Sequence, residues 1–140
     1  RSKLLLKRVY EILNNKIKNK NISFLGVTFK ANTDDMRDSS SLTMIPQLSK
    51  KGGFIKYFDP TGFKDNFKKY KNVQYMKSID SCLAKADLVI IHTEWNDFKS
   101  LNFKKLLKNN RAIIYDMRNL YSPIRMKKQN IKYFSVGRSL

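Results

Sequence analysis

The sequence predicts an α/β fold: a Rossmann-like parallel sheet with helices on both faces, preceded by the tail of a long helix. Three observations carry this. Short apolar runs rich in β-formers recur along the chain, with NISFLGVTF (21–29), FIKYFDP (54–60) and DLVIIHT (87–93) the clearest. Helix-like segments of roughly ten residues alternate with them. Polar clusters follow the runs directly. Strands that are apolar throughout, rather than alternating, need cover on both faces, and helical crossovers supply it.

Each element has its own local warrant. Over 3–19, Leu6, Tyr10, Leu13 and Ile17 form one helical stripe, widened by Leu5, Val9 and Ile12. No capping residue precedes Leu4, so this helix is expected to begin further upstream. Residues 1–19 are accordingly read as the tail of a longer helix and 20–140 as the domain that follows it. Residues 21–29 form the first strand. A helix fits Ser40 to Lys50, with Ser39 or Ser40 as N-cap and Gly52 ending it. Pro46 should kink that helix or mark where its last turns begin. Further strands are expected at 54–60, 72–76, 87–93, 111–117 and 130–137, and helices at 78–86 and 102–109.

Composition narrows the classes. A length of 140 residues suits one domain, and 41% hydrophobic residues can fill a core. No apolar run reaches the ~20 residues of a membrane-spanning helix. The start, RSKLLLKRVYEILNN, lacks the uninterrupted apolar region of a signal peptide and an initiator Met, which suggests a piece of a longer chain. A lone cysteine, Cys82, excludes a disulfide framework and makes the reducing cytoplasm the default location. With one His and one Cys, no Cys/His zinc site can be built, and no metal is expected. The formal charge of +18 raises nucleic acid as a partner. Yet 22 of the 29 basic residues are Lys and 13 residues are Asn, a joint excess that A/T-rich coding would also give. Nucleic acid and membrane are therefore not the expected partners.

In parallel sheets, ligands bind beyond the carboxyl ends of the strands. Four polar clusters fall there: Phe29-Lys30 onward, Asp59-Pro60, His92-Thr93-Glu94-Trp95 and Asp116-Met117-Arg118-Asn119. The first strand is followed by Gly26 alone, without the G-x-G-x-x-G of a dinucleotide loop. Unaided NAD binding is not expected. Instead Asp34, Asp35 and Asp38 surround Arg37. They could fix its guanidinium, or merely cap the next helix, with Asp38 near its N-terminus. Arg118 is placed for a phosphate or a sugar hydroxyl, or else pairs with Asp116. His92 and Glu94 could do acid–base work, or simply be loop polar groups beside a packed Trp95. Cys82 sits at an apolar helical position, as a small buried hydrophobe would. Ser39, Ser40 and Ser41 read as caps, no His being spaced in sequence to activate them. No catalytic residue is expected.

GVTFKANTDDMRDSS, YFDP, ADLVIIHTEWNDFKSL and IIYDMRNLY, in this order and spacing, resemble the C-terminal UDP-binding domain of the UDP-glucose/GDP-mannose dehydrogenase family. The UDP-glucose 6-dehydrogenase branch is the nearest match. The resemblance covers about residues 20–137, with 3–19 similar to the end of the family's long central helix. It implies a UDP-sugar-binding domain of an NAD-dependent enzyme that oxidises UDP-glucose twice, to UDP-glucuronate. It implies substrate contacts at Phe29, Lys30 and Arg118, and contact of Arg37 with an NAD held mainly by an N-terminal domain. The implied partners are UDP-glucose or UDP, the N-terminal and central domains, and further copies in a homo-oligomer. The family's G-G-S-C-F-P-K-D cysteine segment and its G-x-G-x-x-G domain have no counterpart here, so the chain alone should bind weakly and catalyse nothing. A related UDP-N-acetyl-sugar or GDP-mannose dehydrogenase, a basic nucleic-acid module, and a scaffold pairing through 3–19 remain the alternatives.

Overall fold

The computed structural model describes residues 1–108 and 111–137. Helices α1 (Ser2–Ile12), α2 (Ser41–Lys50), α3 (Ile79–Leu83), α4 (Phe103–Leu107) and α5 (Pro123–Lys128) surround six strands. These are β1 (Asn21–Leu25), β2 (Phe54–Phe58), β3 (Val73–Tyr75), β4 (Leu88–Ile91), β5 (Ile113–Asp116) and β6 (Lys132–Ser135). They form one sheet in the order β3-β2-β1-β4-β5-β6. Every pairing is parallel. The order reverses between β1 and β4, which makes that junction the switch point where such sheets bind ligands.

Strand alternation divides the core into two layers. Ile22 and Phe24 of β1, Leu88 and Ile90 of β4, and Tyr115 of β5 meet α1 and α2 through Leu5, Leu6, Val9, Met44, Ile45 and Leu48. On the opposite face Leu25, Val89, Ile91 and Ile114 meet Cys82, Leu83, Phe103, Leu107 and Met126. The four β4 residues are fully buried. Each such aliphatic side chain contributes about 1.5–3 kcal/mol, so β4 anchors the sheet from both sides.

Several boundaries differ from the sequence reading. The first helix ends at Ile12, not at residue 19, because Asn14 and Asn15 take left-handed φ of 53° and 60°, a conformation Asn tolerates better than most residues. Ile17 is nonetheless buried, supplied by a turn. β1 stops at Leu25 rather than Phe29, since Gly26 turns with φ +80°. The second helix passes through Pro46 to Lys50, and Gly52 follows it with φ +91°. Helix α5 is absent from the sequence reading, although Ser122 caps it through Arg125 N–H and Pro123 occupies its first turn. Asn109, the last residue of the expected helix 102–109, lies outside the described residues.

Gly26 shows how tightly the switch point is packed. A Cβ placed there would stand 2.6 Å from Thr93 Cβ and 2.8 Å from its Oγ1. Gly26→Ala therefore combines left-handed strain with a clash against β4's tip. Urea denaturation should show a loss of about 2 kcal/mol or more.

Candidate functional site at the carboxyl edge of the sheet

All strands being parallel, their carboxyl ends share one rim, and the four polar clusters meet there. The β1–α2 connection, 26–40, doubles back on itself. Val27 N–H donates to Asp59 Oδ2 at 2.8 Å, tying the connection to the tip of β2. Val27's carbonyl accepts the hydroxyls of Ser39 and Ser41, each at 2.6 Å. Phe29 N–H donates to Asp35's carbonyl at 3.0 Å. These bonds push Phe29 and Lys30 outward, and both are exposed.

Arg118 arrives at the same rim from β5. Buried Asp116 collects four donors around its carboxylate. Arg118 N–H reaches Oδ1 at 3.0 Å, while Leu120 N–H, Tyr121 N–H and the Tyr133 hydroxyl reach Oδ2 at 2.7, 3.1 and 2.5 Å. So Asp116 does not pair with the Arg118 guanidinium; it shapes the turn that aims it. The guanidinium itself donates through Nε to the His92 carbonyl at 2.8 Å and through Nη2 to the Phe29 carbonyl at 3.2 Å. It is half-buried, and burial pushes its pKa down, with the nearby positive Arg1 adding and Glu94 opposing.

His92 lies just past β4, outside any helix or strand, as the sequence suggests, but it is fully buried while Glu94 is exposed. Nε2 meets Ser40 Oγ and Nδ1 meets Thr93 Oγ1, both at 2.8 Å. Thr93's single hydroxyl proton is committed to the Thr28 carbonyl at 3.0 Å. The imidazole must therefore donate from Nδ1 and accept Ser40's proton at Nε2. Burial, with Arg118 and Arg1 adding, pushes the His92 pKa down to about 3. A histidine beside Ser40, which the sequence spacing gave no hint of, is thus present but too weakly basic to activate that serine.

Arg37 stands apart. Its Nε and Nη2 donate to Asp35 Oδ1 and Oδ2, both at 3.0 Å, and its own N–H donates to Oδ1 at 2.9 Å. Arg37's bonds, with Lys30's charge adding, hold the Asp35 carboxyl below its usual range. Arg37 remains 87% exposed, so this pair orients the side chain and contributes little stability. Asp35 holds the arginine. Asp38, exposed and left-handed at φ 61°, precedes the helix's first turn rather than capping it. Ser40 occupies the cap position without a side-chain cap bond; Ser39 Oγ takes Ser41 N–H at 3.2 Å.

Phe29, Lys30 and Arg118 therefore share this rim, and Arg37 stands off it on the β1–α2 connection, held by Asp35. Arg118 is tied to Phe29, and Lys30 is close enough to Asp35 to act on its carboxyl together with Arg37. Sequence reasoning missed Asp116 and His92 as builders of this rim. The D-x-R spacing is the one signal available for Asp116, an Asx-type turn onto Arg118 N–H.

The crevice between β1 and β4 does not fit a dinucleotide of its own. Asp59, at the β2 position where a ribose-reading acid would stand, is 1% exposed and already accepts Val27 N–H, Thr61 N–H and the Thr61 hydroxyl. At the N-terminus of α2, Ser39 Oγ already takes Ser41 N–H and Ser40 Oγ turns to His92. Among the described residues no cluster of three or more His, Cys, Asp or Glu could hold a metal. Burial pushes the Cys82 thiol up to about 12, as expected of a packing residue.

Comparison with known proteins places the rim in a family context. The sequence profile of the UDP-glucose/GDP-mannose dehydrogenase family, UDP binding domain, matches residues 23–123. The chain is 38% identical over 135 residues to a UDP-glucose 6-dehydrogenase of Rickettsia conorii, covering 93% of this chain and 31% of that protein. It thus spans about a third of the length of such relatives. Among solved structures, an NDP-N-acetyl-D-galactosaminuronic acid dehydrogenase from Methanosarcina mazei Go1 superposes with TM-score 0.78 at 21% identity, over 99% of this chain and 29% of that one. A UDP-glucose dehydrogenase from Pyrobaculum islandicum gives 0.76 at 22% identity, over 99% and 30%. At those identities the superpositions establish the fold.

The buried imidazole predicts acid sensitivity. Its folded pKa, about 3, lies below its ordinary 6.5. The unfolded chain therefore binds a proton that the folded chain refuses, so stability is full above pH 6.5 and falls as pH drops toward 3. The slope approaches about 1.4 kcal/mol per pH unit. The groups acting on the ring are Arg118 and Arg1, with Phe24 beside it at 6.1 Å. Urea melts at pH 7, 6 and 5 should show the decline in the native chain and a flatter profile in His92→Gln. Equal slopes would contradict this account.

Proposed function

The chain belongs to the UDP-glucose/GDP-mannose dehydrogenase family as its UDP-binding domain, and from that premise we propose that its rim grips UDP-glucose within an NAD-dependent UDP-glucose 6-dehydrogenase. The observation that carries this reading is the half-buried Arg118 guanidinium. It is held by two carbonyls, with no carboxylate in ion-pair distance among the described residues. Two of its five N–H donors are used in holding it; three are left for a ligand. A half-buried cation whose hydrogen-bond partners are both neutral favours an anion. Lys30, next in sequence to Phe29, whose carbonyl is one of the two that hold Arg118, supplies a second, exposed positive charge. Together they suit a diphosphate, and exposed Phe29 offers a flat apolar surface for a base or sugar.

In this reading residues 20–140 form the nucleotide-sugar domain, and 1–19 lead into it from the enzyme's other domains. NAD would be bound mainly by an N-terminal domain, and Arg37, exposed and oriented by Asp35, would reach across to it. The whole enzyme would be a cytoplasmic homo-oligomer making UDP-glucuronate, a precursor for polysaccharides. The 140-residue chain contributes binding; its buried thiol is unsuited to nucleophilic work, and no NADH should form from UDP-glucose and NAD on this chain alone.

Calorimetry with UDP-glucose should give micromolar to millimolar affinity, abolished by competing UDP. Arg118→Ala and Lys30→Ala should each weaken it about tenfold or more, the loss of a charge-assisted bond. Arg37→Ala should leave it within twofold. No heat from the folded chain at millimolar ligand, or stronger binding of GDP-mannose, would overturn the UDP-glucose assignment.

A further inference from the structure

We propose that His92 is a positioning residue for Arg118: in its Nδ1–H form it clamps the N-terminus of α2 to the tip of β4 and thereby fixes the carbonyl on which the guanidinium rests. Its use in ligand binding rests on the reading above; its geometry does not.

The argument is one of connected bonds. Ser40 Oγ donates to His92 Nε2 and His92 Nδ1 donates to Thr93 Oγ1, both at 2.8 Å; Thr93 Oγ1 donates to the Thr28 carbonyl at 3.0 Å. This unbroken relay joins both ends of the β1–α2 connection, Thr28 and Ser40, to the tip of β4 more than fifty residues on. The two carbonyls that hold the Arg118 guanidinium, those of His92 and Phe29, are within or next to the relay. The backbone of His92 is itself pinned, its N–H donating to the Leu25 carbonyl at 3.0 Å. The two N–H groups that face the protein have these carbonyls as their acceptors, so displacing either carbonyl would loosen the guanidinium. A ring bonded at both nitrogens, fully buried between two hydroxyls, has one orientation. An aliphatic residue of similar size would fill the space but leave Ser40 and Thr93 without that constraint.

The relay also fixes a direction. Thr93 has spent its proton on Thr28, so reversing the tautomer would place two lone pairs against each other at Nδ1 and strip Ser40 of its acceptor. Protonation would retain the Thr93 bond but set a positive charge near Arg118 and Arg1, the two cations that already act on the ring. The position therefore works with a neutral imidazole, and it steadies the rim without taking part in proton transfer.

The test uses the 140-residue chain without ligand. Long-range proton–nitrogen NMR of the imidazole should show Nδ1 protonated and Nε2 accepting. An Nε2–H or doubly protonated ring at pH 7 would overturn the proposal. The Arg118 Nε–H should exchange slowly with water. In His92→Ala it should exchange at least tenfold faster while cooperative melting persists, and His92→Gln, which can still accept from Ser40, should restore it to within threefold. Unchanged exchange in a folded His92→Ala would overturn the proposal. Should that variant not fold, Ser40→Ala removes one end of the relay, and exchange should rise about threefold; no change there would equally overturn it. Because these readouts need no UDP-glucose, absence of ligand binding by the native chain would sink the proposed function and leave the positioning role to be judged on exchange alone. If the native chain does bind, His92→Ala should lose most of the affinity that Arg118→Ala loses.

Discussion

A half-buried cation with no ion-pair partner among the described residues is the constraint on which the rim depends. Arg118 is held by two main-chain carbonyls, and burial presses on its charged form. Such a group persists only where its acceptors are placed well and where the rest of the fold offsets the desolvation. The surroundings supply both. Asp116 gathers four donors to set the turn, the His92 relay sets one acceptor, and the β1–α2 connection sets the other. The sheet beneath, buried on both faces, carries the cost.

The same physics explains why a sheet of Rossmann order here lacks a dinucleotide cradle. The connection after β1 uses its polar groups internally. Ser39 and Ser41 close on Val27's carbonyl, Asp59 is consumed by Val27 and Thr61, and Gly26 serves to let β4 come close rather than to admit a pyrophosphate. What remains for a ligand is cationic and outward: Lys30, Arg118 and, further off, Arg37. A shared strand order thus supports a different use of the switch point, decided by the side chains at the strand tips.

Much of this was legible in the sequence, for stated physical reasons. DLVIIHT reads as a strand buried on both faces because nothing in it alternates, and β4 is that strand. The post-strand polar clusters mark one edge as soon as the strands are taken as parallel, and Arg118 and Lys30 stand on it. The misses share a cause. The first helix was overextended because Ile17 keeps helical spacing, while the two asparagines that end it, Asn14 and Asn15, signal only through their tolerance of left-handed φ. Helix α5 was missed because its six residues hold Met126 as the one buried position, too few for any period to show. The burial of His92 and its contact with Ser40 went unread because the two lie 52 residues apart, a pairing that no local pattern encodes.

The most direct measurement of the central claim is chemical-shift mapping of the 140-residue chain titrated with UDP. The account predicts perturbations concentrated at residues 27–31, 92–94 and 116–119, with the Arg118 side-chain resonance among the largest. Shifts confined to the opposite, amino-terminal edge of the sheet, around residues 16–20 and 50–53, would contradict it.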